Sequence, residues 1–207
     1  MIDLNLNYFG GRDYIDIAQI GYRCMYPFFK DDYSQCNGFY IRIQKAVTPY
    51  AVLIAKEDYE NKKLESNYEI AARVRIGQIG KPIYEGYVCN PLDKSGFRAK
   101  PIDISFTEPT YIEGQHYLVL ENEVRVIKPI ETQWPAPFSL MMMARLCGQH
   151  FYHSQKPRGV MWDAKRIPTQ AELTQLRATT TSKPIHGLVK INTYIGDELF
   201  GSGLLKI

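Results

Sequence analysis

Cysteine is scarce in this chain: Cys24, Cys36, Cys89 and Cys147 are its only thiols, and no two stand in a C-x-x-C pair. That excludes the dense disulfide frameworks of small secreted domains and the paired-thiol signature of structural zinc sites. Long hydrophobic runs are missing too, since no window approaches the ~18 apolar residues that span a bilayer. Met1-Ile2-Asp3-Leu4-Asn5 offers neither a basic n-region nor an apolar core, so no secretory leader is expected. These absences predict a soluble, cytoplasmic protein with reduced thiols and no membrane partner. Glycine is present but never in phosphate-binding order. Gly10-Gly11, Gly77 with Gly80, and Gly201 with Gly203 match neither G-x-x-x-x-G-K-[ST] nor G-x-G-x-x-G, so no nucleotide cofactor is expected. The sequence also lacks internal repeats, low-complexity tracts and a recognisable linker.

What remains is ample material for a core. Hydrophobic residues make up 45% of the 207 and aromatic residues 13%, with 15 tyrosines, a residue that suits half-buried strands. Residues 1–207 are expected to form one α+β domain, strand-rich and mainly antiparallel. In 1–130 the pattern is mostly of strands: 14–20, 38–43, 50–55, 68–76 and 102–106, then a hairpin of 117–120 with 124–127. The charged stretch 56–65 is expected to be a loop or short helix. Past Trp134, Pro135 and Pro137 suit a first helical turn, and a Leu/Met-rich helix is predicted over about 135–153. Thr169-Gln170-Ala171-Glu172 is a capping-box pattern and predicts a short helix over about 169–178. Segments 188–195 and 199–207 flank a Gly196-Asp197 turn and predict a terminal β-hairpin.

Charge is uneven along the chain. Residues 1–143 carry 16 Lys and Arg against 18 Asp and Glu, and residues 144–207 carry 9 against 4. Within the basic end, Arg145, Gln149, Tyr152, His153, Lys156, Arg158, Trp162, Lys165 and Arg166 interleave cations with aromatic rings. Cations neutralise phosphates and rings stack on bases, so this combination suits single-stranded nucleic acid. The expectation is a non-enzymatic binding or assembly module, a subunit of a larger ribonucleoprotein, with RNA or DNA and other protein subunits as partners. A helix that packs its Met/Leu side inward and solvates a basic side is the plainer account of the same residues.

Enzymatic alternatives rest on smaller patterns. Ser34-Gln35-Cys36-Asn37-Gly38-Phe39 resembles the Asp-Cys-Ser-Gly-Phe motif of the NlpC/P60 cysteine peptidases, with Gln35 in place of the Asp. The resemblance implies Cys36 as nucleophile and His186 as general base, an arrangement that makes a thiolate near neutral pH. Asp103 followed by Glu121-Asn122-Glu123-Val124-Arg125 suggests a carboxylate pair for a metal-dependent nuclease, Asp103 with Glu123. Arg125 stands where such a site would use Lys, and it cannot give up a proton. Cys147, His150 and His153 contain zinc-ligand types, but Cys147 and His153 sit about 240° apart on a regular helix. No metal site and no catalytic set is therefore assigned. A protein–protein interface built on the tyrosines is the third alternative.

Overall fold

The computed structural model describes residues 1–7, 15–30, 32–93, 95, 112–128, 136–155, 157–180 and 183–207, with the side chains of 136–142 left aside. It is a strand-rich, antiparallel α+β fold, as the sequence predicts. The predicted strand 102–106, and with it Asp103, lies outside the described residues.

The strands are β1 (Ile2–Asp3), β2 (Cys36–Ile43), β3 (Val52–Ala55), β4 (Tyr68–Gln78), β5 (Tyr84–Pro91), β6 (Tyr117–Val119), β7 (Glu123–Val126), β8 (Arg158–Ala164), β9 (Leu176–Thr180), β10 (Leu188–Ile195) and β11 (Glu198–Lys206). They join in one sheet of order β1-β3-β5-β4-β2-β8-β11-β10-β9-β7-β6. The helices are α1 (Ile17–Phe29), α2 (Lys56–Asn61) and α3 (Ala136–Tyr152).

Two similar halves meet at the antiparallel pairing of β2 with β8, where Ile41 faces Trp162. In each half the strand after the main helix (β2, β8) is central. The next strand (β3, β9) lies far out, beside the strand that precedes the helix (β1, β7). The halves differ in the two strands between. No sequence repeat accompanies this layout.

Helix α1 occupies residues whose first few read as a strand. Its buried positions include Ile17, Ile20, Gly21, Cys24, Met25 and Phe29, spaced three and four apart along one face. Asp16 caps it, its carboxylate accepting from the Ala18 N–H at 2.8 Å. Pro27 lies inside the helix near its C-terminal end, where it removes the N–H that would otherwise bond to the Arg23 carbonyl. Helix α3 matches its predicted span closely. Its Gly148 has a packing reason, because a Cβ there would lie 2.8 Å from the Pro157 ring. The predicted helix 169–178 is a 3₁₀ segment, Gln170–Gln175, with both hydrogen bonds of the capping box, followed at once by β9. The terminal hairpin and the β6–β7 hairpin form as expected.

Register fixes which side chains the helices cover. Ala178, Thr193, Gly201, Ala164, Phe39 and Ile76 share one buried rung across six strands. The next rung, Thr179, Asn192, Ser202, Asp163, Tyr40 and Arg75, faces away from the core with period-two alternation.

Candidate functional site

The basic, aromatic segment does not form one surface. Residues Arg158–Ala164 are a central strand, so their side chains alternate between the two faces of the sheet. Trp162 turns inward and is 3% exposed, over Gly203, where a Cβ would meet the indole at 2.6 Å. Arg158 is exposed on the strand's outer end, opposite Lys206. Arg145 points into the contact between the helices, its guanidinium 3.9 Å from the Asp16 carboxylate and 14% exposed. Arg166 is held by the Glu172 carboxylate at 2.8 and 2.9 Å and by Glu198 at 3.4 Å. Gln149 is half-buried on α3, Tyr152 bonds to Thr180, and His153 ends the helix with a left-handed φ of 51°. Lys165 is exposed, and Lys156 lies outside the described residues.

The smaller patterns fare no better as sites. Cys36 lies three residues beyond Phe39, whose rung runs through Ala164, while His186 lies two beyond Leu188, whose rung runs through Lys206 to Arg158. Those rungs are about 20 Å apart along β8 at roughly 3.3 Å per residue, and the pair lies beyond opposite ends. Burial also raises the Cys36 thiol above its ordinary pKa, the reverse of an activated thiolate. Glu123 is occupied by Arg125 at 2.8 Å and Arg177 at 2.9 Å. Cys147 is fully buried, donating to the Ala178 carbonyl, and burial pushes its thiol up to about 12. His150 bonds instead to the Tyr117 hydroxyl at 2.9 Å. Among the described residues no group of three His, Cys, Asp or Glu could hold a metal.

A groove of about 800 Å³ lies at the end of α3, against the ends of β7 and β9. The Tyr152 hydroxyl is hydrogen-bonded to that of Thr180 on its helix side. Across β9, Thr179 stands beside its register partner Glu123. Arg177 bridges Glu123 to the Gly196 carbonyl, at 2.9 and 2.8 Å, and so fixes β7 against β9 and the β10–β11 turn. The Thr180 N–H donates to the Asn122 carbonyl at 3.3 Å, drawing the turn that carries Glu121 to the groove rim. Lys183 and Pro184 complete the lining. Glu121 and Lys183 are exposed, and neither has an ion-pair partner among the described residues. In the groove wall the Thr179 hydroxyl is buried without a hydrogen-bond partner among those residues.

Sequence reasoning included Tyr152 for another purpose and Glu121 and Glu123 within a metal pattern. It missed Thr179, Thr180 and Lys183. A run of threonines before a Lys-Pro pair is an ordinary strand end, and only the register against β7 gives it meaning.

No protein-family model and no curated protein matches the chain. Among solved structures it is similar to a tesB protein of Mycobacterium avium subspecies paratuberculosis, at TM-score 0.46 and 8% identity, covering 97% of this chain and 90% of that one. It is similar also to an acyl-CoA thioesterase II, TesB2, of Mycobacterium marinum, at TM-score 0.39 and 9% identity, covering 99% and 91%. A conserved hot dog fold protein of unknown function from Alicyclobacillus acidocaldarius gives TM-score 0.41 and 9% identity, covering 98% and 95%. The dispersal of the basic segment, with Trp162 in the core and Arg145 and Arg166 paired to carboxylates, corrects the expectation of a non-enzymatic ribonucleoprotein subunit with RNA, DNA and protein partners. Among the described residues, no helix is long and apolar enough to cross a membrane.

Proposed function

We propose that the chain is a small hydrolase that works in the groove at the end of α3, on an acyl ester or thioester. One observation carries this reading: a carboxylate, an ammonium and a hydroxyl pair converge on a groove of about 800 Å³. That volume lies within the usual range for small-molecule sites. Glu121 is the carboxylate left to act, because Glu123 already serves two guanidiniums.

In this reading Glu121 takes a proton from water as the oxygen attacks the acyl carbon. The carbonyl oxygen becomes an oxyanion, stabilised by the Lys183 ammonium and the Tyr152 hydroxyl. The C–O or C–S bond then breaks, and the leaving group recovers the proton from Glu121. Arg177 and Glu123 act as positioning residues, holding the strand ends that form the walls. Buried cysteines, all of them reduced, support a cytoplasmic setting. The unbroken sheet supports reading residues 1–207 as one domain.

Release of free thiol from a short acyl thioester, followed with a thiol-reactive dye, tests the proposal. Wild type is expected to turn over, with Lys183→Ala slower by about a hundredfold, the scale of one lost oxyanion donor. Tyr152→Phe is expected to be about tenfold slower. Absence of any hydrolysis across esters and thioesters of varied chain length, or unchanged rates in both variants, removes the reading.

A further inference from the structure

The outward face of the sheet holds a second concavity, at the seam where β2 of the first half pairs with β8 of the second. It measures about 200 Å³, lies across β2, β4 and β8, and is lined by Asn37, Gly38, Tyr40, Arg75, Lys81 and Asp163 among others. We infer that this pocket binds a small phosphorylated compound that also carries hydroxyl groups, the chemistry of a sugar phosphate.

The cations there are arranged in a way the fold does not need. Arg42 and Arg73 are direct register partners on the same outward face, a like-charge pairing that disfavours the sheet. Neither has a carboxylate within ion-pair distance among the described residues. Arg75 follows on the next outward position, and its guanidinium lies over the Tyr40 ring at the pocket wall, 4.8 Å from the centroid. Its register partner Glu85 is engaged by Lys56 at 3.6 Å. Lys81 is brought to the rim by the turn after β4, where its N–H donates to the Gln78 carbonyl at 3.0 Å. An anion entering the pocket meets Arg75 and Lys81 directly, with Arg42 and Arg73 adding field behind them. A bidentate guanidinium contact favours phosphate.

The other end of the pocket has the opposite chemistry. Asp163, opposite Tyr40 on β8, is exposed and without an ion-pair partner among the described residues. A carboxylate repels phosphate but accepts hydrogen bonds from hydroxyls. The Asn37 side chain sits on Gly77, where a Cβ would come within 2.4 Å of its Oδ1, so the amide is seated at the pocket edge. The register shift between Cys36 and Gly38 puts Asn37 there. Polarity thus runs from cationic to acceptor across a space smaller than a drug-sized site.

Titration calorimetry of the full chain with ribose 5-phosphate, inorganic phosphate and ribose tests the inference. Wild type is expected to bind ribose 5-phosphate more tightly than phosphate. Arg75→Gln and Lys81→Gln should each weaken both phosphate probes about tenfold, the scale of one charge-assisted hydrogen bond. Asp163→Asn should weaken ribose 5-phosphate alone. Gly38→Val should abolish binding without lowering the unfolding temperature, since a Cβ at Gly38 meets no atom within 4 Å. No binding by wild type, or binding indifferent to both cation variants, overturns the site. Equal affinity for phosphate and ribose 5-phosphate overturns the sugar-phosphate assignment.

Discussion

The two halves of the molecule share a layout and treat the same corner differently. At the end of α1, aromatic rings close the corner beside β3: Phe28 lies 4.8 Å from Tyr84, and Phe29 lies 5.9 Å from Tyr33, centroid to centroid. Helix α2 follows β3 directly. At the end of α3 the matching corner beside β9 stays open. Phe151 and Tyr152 are only half-buried there, and threonines, carboxylates and Lys183 line the space. One corner is filled by aromatic rings, and the other is the groove proposed above to hold a ligand. Polar groups around a groove give up apolar burial, which is tolerable where the first half and the shared core supply it.

Substitutions at the two corners should therefore read out differently. The largest effect is expected for Phe29→Ala, which removes a 5% exposed ring and should cost about 3–5 kcal/mol in chemical denaturation. Phe151→Ala should cost about 1–2 kcal/mol, since its ring is half-buried. Equal losses would break the comparison.

The seam between the halves comes next. Gly203→Ala sets a Cβ 2.6 Å from the Trp162 indole and should cost about 1–3 kcal/mol by overpacking. If the halves fold as one unit through this seam, calorimetry of the variant still shows a single transition. Two separated transitions would show that the halves are independent.

A smaller effect depends on pH and belongs to the second half alone. The Arg166 guanidinium, with help from the Thr169 hydroxyl and N–H, holds the Glu172 carboxyl at about 2 against an ordinary 4.5. A depressed folded-state pKa adds stability that is full above the unfolded value and is lost as pH falls from 4.5 towards about 2. Glu172→Gln should remove that component and the charge of the capping box, costing about 1 kcal/mol at neutral pH. Stability curves for wild type and variant should converge as pH falls through this window. Parallel curves would assign the acid loss to other carboxylates.

How much of this was legible in the sequence depended on range. Helix α3, the capping box and both hairpins follow from local signals: proline placement, Thr169 with Glu172, and short polar turns between alternating runs. Helix α1 was hidden because Ile15, Ile17 and Ile20 favour strand when read alone. Its true face appears only when Cys24, Met25 and Phe29 are counted with them. The basic segment misled for a related reason. Cations and aromatic rings adjacent in sequence look like one surface, but a strand sends neighbours to opposite faces, and Trp162 went to the core. Neither the groove nor the outward pocket could be read beforehand. Glu123 meets Thr179, and Tyr40 meets Asp163, through pairings between distant segments. No spacing rule encodes such meetings.

The most direct test of the central claim compares carboxylates at the two corners. Glu121 stands at the open groove of the second half, and Glu57 stands in the first turn of α2 at the closed corner. Thioester hydrolysis should be measured for wild type, Glu121→Gln and Glu57→Gln under identical conditions. The account predicts a fall of about a hundredfold in Glu121→Gln, the usual scale of a lost general base, and no change in Glu57→Gln. Equal rates in all three proteins would contradict it.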